Sequence, residues 1–244
     1  MENNRKIEVC FSPVLFEYSK DINSIVVIVD ALRATSAICT AFAQGVEKII
    51  PVASLEEAKE YKKKGYMVAA ERDGIVQDFA DFGNSPFNFT AERVKGKTVV
   101  YSTTNGTQAI TMASDCYRVI VGSFLNLTAM SDWMIKQNRD VIVLCAGWKN
   151  KFNLEDTVLA GAVVENLLNS KKYYTICDSA IASLDLWNIA KHDLVNYIDK
   201  VAQRSRLRKL GLDDVIEYCF TPDQTDVIPI LSDGSLVNNL KMPE

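Results

Sequence analysis

The stretch Ile25-Val26-Val27-Ile28-Val29 is five β-branched apolar residues in unbroken succession. Polar and apolar residues do not alternate in it, which is how a strand buried on both faces reads. Asp30-Ala31-Leu32-Arg33-Ala34-Thr35 follows, and a helix is predicted from about residue 33 to Gln44, closed by Gly45. A doubly buried strand that feeds directly into a helix is the repeating unit of a parallel sheet covered on both sides.

Working outward, the same unit recurs. Strands are predicted at 47–52, 66–71, 97–101, 118–121 and 140–145, and helices at 54–64, 106–114, 125–138 and 154–169. Ser54 with Glu57 three residues on forms a capping box for the 54–64 helix, and Gly65 stops it. A strand at 7–11 is free to pair at a sheet edge in either direction. Residues 178–219 read as mainly helical, before a last strand near 226–231. The expected fold is α/β: a three-layer α/β/α sandwich on a largely parallel, mixed sheet. No linker or low-complexity segment divides the chain, so residues 1–244 are expected to form one domain.

Composition narrows the function. Hydrophobic residues make up 48% and charged residues 24% of the chain, enough for a sizeable packed core. The net charge of −4 disfavours nucleic-acid partners, which need a basic face. The one basic run, Arg204, Arg206, Arg208 and Lys209, reads as a solvated helix face. Nothing resembles a signal peptide, and no apolar stretch approaches the length of a membrane span, so neither a membrane nor export is expected. The six cysteines are scattered without a CxxC pair, as buried free thiols in a reducing cytoplasm would be. His192 is the sole histidine, which disfavours both zinc and a Ser-His-Asp triad. No phosphate-binding P-loop or dinucleotide fingerprint is present.

Ligands of open α/β sheets bind outside the carboxyl ends of the strands. The residues there are rich in chemistry. After 25–29 come Asp30, Arg33 and Thr35. Asp30 can ligate a divalent cation, attack phosphorus, or simply cap the helix. Arg33 can hold a phosphate or sulfonate by a two-pronged contact. After 97–101 comes Ser102-Thr103-Thr104-Asn105-Gly106-Thr107, where hydroxyls, a turn at Gly106 and a helix start suggest an anion site. Ser123 and Asn126 follow the 118–121 strand. Glu155 and Asp156 open the 154–169 helix, either as acids favoured by its dipole or as cation ligands. Glu71 ends the 66–71 strand, and Asn84 and Ser85 sit in a tight turn before Pro86. The expected site therefore has Asp30, Arg33, Glu71 and Asp156 as catalytic residues. Asp30, Glu71, Glu155 and Asp156 form its metal set. Thr35, Asn84, Ser85, Thr103, Thr104, Asn105, Gly106, Thr107, Ser123 and Asn126 are its substrate contacts. Carboxylates beside anion-binding groups imply a cation held between protein and phosphate.

These segments, in this order, resemble the 2-phosphosulfolactate phosphatase family: VDALRAT, AAERDG, FGNSP, STTNGT, VGSFLN, CAG and Glu155-Asp156, across about residues 7 to 231. The resemblance implies an α/β/α fold and Mg²⁺-dependent hydrolysis of 2-phosphosulfolactate to sulfolactate and phosphate, a step of coenzyme M biosynthesis. It also leads one to expect a histidine near residues 203–205, where this chain has Gln203 and Ser205. Two alternatives stand beside this reading. One is a related phosphatase acting on another small phosphorylated hydroxy acid, and the other is a non-catalytic sensor of an anionic metabolite. A homodimer is expected on base rates.

Overall fold

The computed structural model describes residues 4–239. Its strands are β1 (Arg5–Cys10), β2 (Ile25–Val29), β3 (Lys48–Pro51), β4 (Met67–Arg72), β5 (Ile75–Val76), β6 (Thr98–Ser102), β7 (Arg118–Gly122), β8 (Val141–Cys145), β9 (Tyr173–Tyr174), β10 (Pro229–Ser232) and β11 (Ser235–Asn238). They form one sheet in the order β5-β4-β6-β3-β11-β10-β7-β2-β8-β1-β9. The fold is α/β with a mixed, mostly parallel sheet, as the alternation of strand and helix implies.

Strand β2 is buried along its whole length and is paired in parallel with β7 and β8. Ile25, Val27 and Val29 face one core, where the Leu127–Gln137, Leu154–Asn169 and Asp178–Ala190 helices lie. Val26 and Ile28 face the other, filled by the Ala34–Ala43 and Gly106–Met112 helices. A smaller core of Val52, Ala58, Val68, Ala70 and Val100 seats the Leu55–Lys63 helix on β4 and β6. That helix has the predicted cap: Ser54 Oγ accepts from the Glu57 amide at 3.1 Å, worth about 1 kcal/mol.

The sheet departs from a simple parallel one in an instructive way. β9, β1, β8, β2 and β7 all run together, and so do β3, β6 and β4. The two blocks are joined by the antiparallel pair β10 and β11, and each of those strands is also antiparallel to its block. The blocks therefore point in opposite directions. The Asp233-Gly234 turn between β10 and β11 has positive φ at both residues, 48° and 73°, the geometry of the tight hairpin turn that Asp-Gly favours. The sequence reading had one final strand, and missed β11 together with the two-residue strands β5 and β9. Nor does β1 end the sheet. It lies one place in, parallel to both neighbours.

A flat sheet would separate β2 and β6 by five steps, about 24 Å. Yet Tyr101 Oη of β6 donates to Ala34 O at 3.2 Å. The sheet must therefore coil, and the Ala34–Ala43 helix lies in its hollow, buried at every position from Ala34 to Phe42. A helix without a charged residue, its Thr35, Ser36 and Thr40 hydroxyls bonded to backbone carbonyls, suits such a place. Coiling brings the carboxyl ends of oppositely directed strands to one spot.

The remaining helices follow the forecast with shifts of a few residues, and Leu154–Asn169 matches it. Its Gly161 meets the backbone of the Asp178–Ala190 helix so closely that a Cβ there would lie 2.0 Å from Ser183 O. All six cysteines are free, and only Cys177 is not fully buried. Among the described residues no helix is long and apolar enough to cross a membrane.

Candidate active site

The site grows from the end of β2. The loop after Val29 is pinned on every side. Asp30 N donates to Thr35 Oγ1 at 3.1 Å, and that hydroxyl donates back to Asp30 O at 2.9 Å. Ala31 N donates to Asp156 Oδ1 at 2.9 Å, and Gln203 Nε2 donates to Leu32 O at 3.3 Å. The Leu32–Arg33 peptide is cis. Thr35 is thus a brace for the Asp30 backbone, fully buried, and offers no free hydroxyl to a ligand.

Two acids tie neighbouring strand ends together. Asp156 Oδ2 accepts from Gly147 N at 3.0 Å, so its carboxylate links the β2 and β8 loops. Glu71 accepts from Gly74 N at 2.7 Å and from Thr104 N at 2.9 Å, linking the β4 and β6 turns. The other two acids are less committed. Asp30 is 8% exposed, and Glu155 Oε1 is buried without any hydrogen-bond partner. An orphaned buried carboxylate oxygen is costly unless something neutralises it.

The electrostatics agree. Burial, then the Glu71 and Glu155 carboxylates, push Asp30 up to about 7. Burial pushes Glu155 up to about 7 as well. Burial, with Asp30 and Glu155 beside it, holds Asp156 well above the usual carboxylate range. Asp30, Glu155 and Asp156 crowd one buried spot, and like charges there resist ionising together.

Gly106 is required here for space. A Cβ on it would lie 3.0 Å from Ala34 Cβ and 3.2 Å from Asp30 Oδ2. Its φ is not positive, so space and not an unusual backbone angle is what the position demands. Gly106→Ala should push the Asp30 carboxylate aside and destabilise the fold by about 1–3 kcal/mol. Thermal melts and turnover of the variant check this, with activity falling further than stability alone explains.

Arg33 is almost wholly buried and donates from Nη2 to Asn84 Oδ1 at 2.8 Å. Arg33, Asn84, Ser85, Gly74, Leu212 and Asp214 line a cleft of about 270 Å³ next to the acids. The hydroxyls of the 103–107 turn are occupied internally. Thr104 Oγ1 faces Glu71, Thr107 Oγ1 donates to Thr103 O, and the Thr107 amide donates to Thr103 Oγ1. Asn105 Oδ1 accepts from Lys149 N at 3.1 Å. These bonds fix the shape of the turn, with the Thr104 and Thr107 hydroxyls turned inward to Glu71 and Thr103 O.

Ser123 and Asn126 stand apart. Both are fully buried, Asn126 Oδ1 accepts from Ser123 N at 2.9 Å, and its Nδ2 donates to Val121 O and Val227 O. The pair is a capping box whose hydrogen bonds go to the protein itself, and the structure does not bring it together with the acids.

The structure adds residues that the sequence reading passed over. Arg206 leaves the supposed solvated face and lies over the Trp148 ring, its guanidinium carbon 4.4 Å from the centroid. Gln203 Oε1 holds Arg206 Nε at 2.7 Å. By contrast Arg204 and Arg208 do belong to a peripheral ion network with Asp199 and Asp213. The sequence signal for Arg206 was only that a basic helix followed the acids at some distance.

The chain was compared with known proteins. The family model described as 2-phosphosulpholactate phosphatase matches residues 10–234. A "Probable 2-phosphosulfolactate phosphatase" of Caldanaerobacter subterraneus subsp. tengcongensis is 36% identical over 213 residues, covering 86% of this chain and 88% of its own length. One from Thermotoga maritima is 36% identical over 211 residues, covering 86% and 90%. One from Clostridium beijerinckii is 31% identical over 235 residues, covering 95% and 98%. The matched span holds every acid and arginine described above, and the chain belongs to the 2-phosphosulfolactate phosphatase family of phosphoric monoester hydrolases.

Proposed function

We propose that this enzyme hydrolyses 2-phosphosulfolactate to sulfolactate and phosphate with the help of Mg²⁺, the reaction type found in coenzyme M biosynthesis. One observation supports the metal above others: four buried acids, one with an unpartnered oxygen, around an entrance that also bears arginine. Among the described residues no three Asp, Glu, His or Cys side chains form a ready cage. Mg²⁺ needs none, because it binds through one or two carboxylates and keeps several waters. Asp30 and Glu155 fit that role. Glu71 and Asp156 already bridge backbone amides and hold the loops in place. When bound, the ion supplies Lewis-acid stabilisation of charge on the phosphoryl oxygens.

The chain's own residues supply the rest. Arg33 offers a guanidinium fixed by Asn84 at the cleft wall, placed to take a phosphate oxygen. Asp30, buried at the end of β2 with its carboxylate against the Gly106 turn, is placed to orient the attacking water. The burial of Asp30, Glu155 and Arg33 strengthens each of these interactions. Action in a reducing cytoplasm is supported by the six free thiols.

The test is phosphate release from racemic 2-phosphosulfolactate with Mg²⁺ and then with EDTA, with phospholactate and phosphoglycerate run alongside. The expected result is release that favours phosphosulfolactate and stops on chelation. Equal release in EDTA rejects the metal, and release only from the other esters rejects the substrate.

A further inference from the structure

Arg206 has an unusual combination of constraints. Its helix, Ala202–Lys209, is peripheral, yet the side chain reaches inward and stacks on Trp148. Gln203 fixes it by accepting from Arg206 Nε, and is itself anchored by donating to Leu32 O in the loop that carries Asp30 and Arg33. So one face of the guanidinium and its Nε are taken. Its Nη2 is buried and has no hydrogen-bond partner. Arg206 senses Glu155 and Asp73 electrostatically, but it forms no ion pair with either among the described contacts. A buried, unpaired guanidinium edge is costly. Its place on the flank of the acids, unanswered by any protein group, implies that a ligand group completes it.

We propose that Arg206, stacked on Trp148 and locked by Gln203, is the residue that recognises the sulfonate of the substrate. The proposal rests on the function stated above and adds a specificity determinant to it. Arg33 lines the cleft on the Asn84 side, so the two arginines can divide the substrate's anionic groups between them. Phosphate goes to the Arg33 side with the metal. The sulfonate goes to Arg206. A sulfonate is weakly basic and a poor ligand for Mg²⁺, so it does not compete for the acids. A flat, weakly hydrated guanidinium held on an indole is suited to it. Gln203 gives the helix a neutral brace between Arg206 and the Leu32 carbonyl.

The test compares 2-phosphosulfolactate with 2-phospholactate, which has a hydrogen where the first has its sulfonate. In Arg206→Ala, kcat/KM for phosphosulfolactate should fall about 100-fold, mostly through KM, while that for phospholactate changes far less. Arg206→Lys keeps the charge but loses the fork and most of the stacking, so its loss should be intermediate. Equal losses on both substrates, or none on either, overturn the proposal. Equal losses would mean that Arg206 serves the phosphate, the carboxylate or the fold. Sulfolactate and lactate binding by calorimetry gives a readout that does not need turnover. Wild type should bind sulfolactate more tightly, and Arg206→Ala should erase the difference. If wild type binds the two alike, the sulfonate role of Arg206 is wrong. If wild type prefers sulfolactate yet does not release phosphate from phosphosulfolactate, the functional reading fails and the binding result still decides Arg206.

Discussion

Asp30→Asn is expected to lower phosphate release by about a thousandfold or more while the protein stays folded. Asparagine keeps the shape of the side chain, so the loop braced by Thr35 and Asp156 should hold. What it removes is the charge that would bind the cation and orient the attacking water. The same change takes a strained carboxylate out of a crowded acidic pocket. In EDTA near pH 8 the variant should therefore melt higher than wild type, the usual opposition between stability and function at an active site. Phosphate-release kinetics and thermal melts on one preparation decide this. Retained turnover would falsify the role given to Asp30.

The metal-free protein should lose stability as pH rises, the reverse of ordinary carboxylate behaviour. Asp30, Glu155 and Asp156 all have folded-state pKa values above their unfolded ones, so the native state binds extra protons. Their contribution is whole below the ordinary Asp value of 3.8 and is lost as pH climbs through about 7. A loss of several kcal/mol for a chain of this size corresponds to a fall in Tm of order 10 °C. Mg²⁺ should restore most of it at pH 8 and do little at pH 5, where protons occupy its ligands. Melts across pH with EDTA and with Mg²⁺ test both halves. A Tm in EDTA that is flat from pH 5 to 8 would show that these acids are not buried as charges, and an equal Mg²⁺ effect at both pH values would place the ion elsewhere. Glu155→Gln should flatten the slope, since it removes the unpartnered oxygen's charge.

Much of the fold is legible because its signals are local. Five β-branched residues in a row, the Ser54 cap and the glycines that close helices each act within a few residues. The reversal between the two sheet blocks has no such signature, because it depends on which edges β10 and β11 join. A β11 of four residues is recognisable only with its partner, although Asp233-Gly234 marks the turn. The acids and Arg33 were legible for another reason: charged residues placed directly after buried strands have few other uses. Ser123 and Asn126 sit in the same kind of place and are spelled from the same polar alphabet, but their groups are all answered by backbone. Sequence does not distinguish a satisfied amide from a waiting one. Arg206 is the converse case, since its purpose depends on Trp148 and Glu155, which lie far from it along the chain.

The hairpin of β10 and β11 is made after all the other strands, yet it occupies the middle of the sheet. Until it inserts, β7 and β3 are open edges, each able to pair with another chain. A growing polypeptide can assemble the β2, β7 and β8 block early, but the second block can be brought against it only once residues 229–238 have emerged. The acids of the candidate site come from both blocks, Asp30 and Asp156 from one and Glu71 from the other. The β10–β11 hairpin is thus the link on which the meeting of the two groups of acids depends, and a variant lacking residues 229–238 is expected to lose the site, not merely its edge.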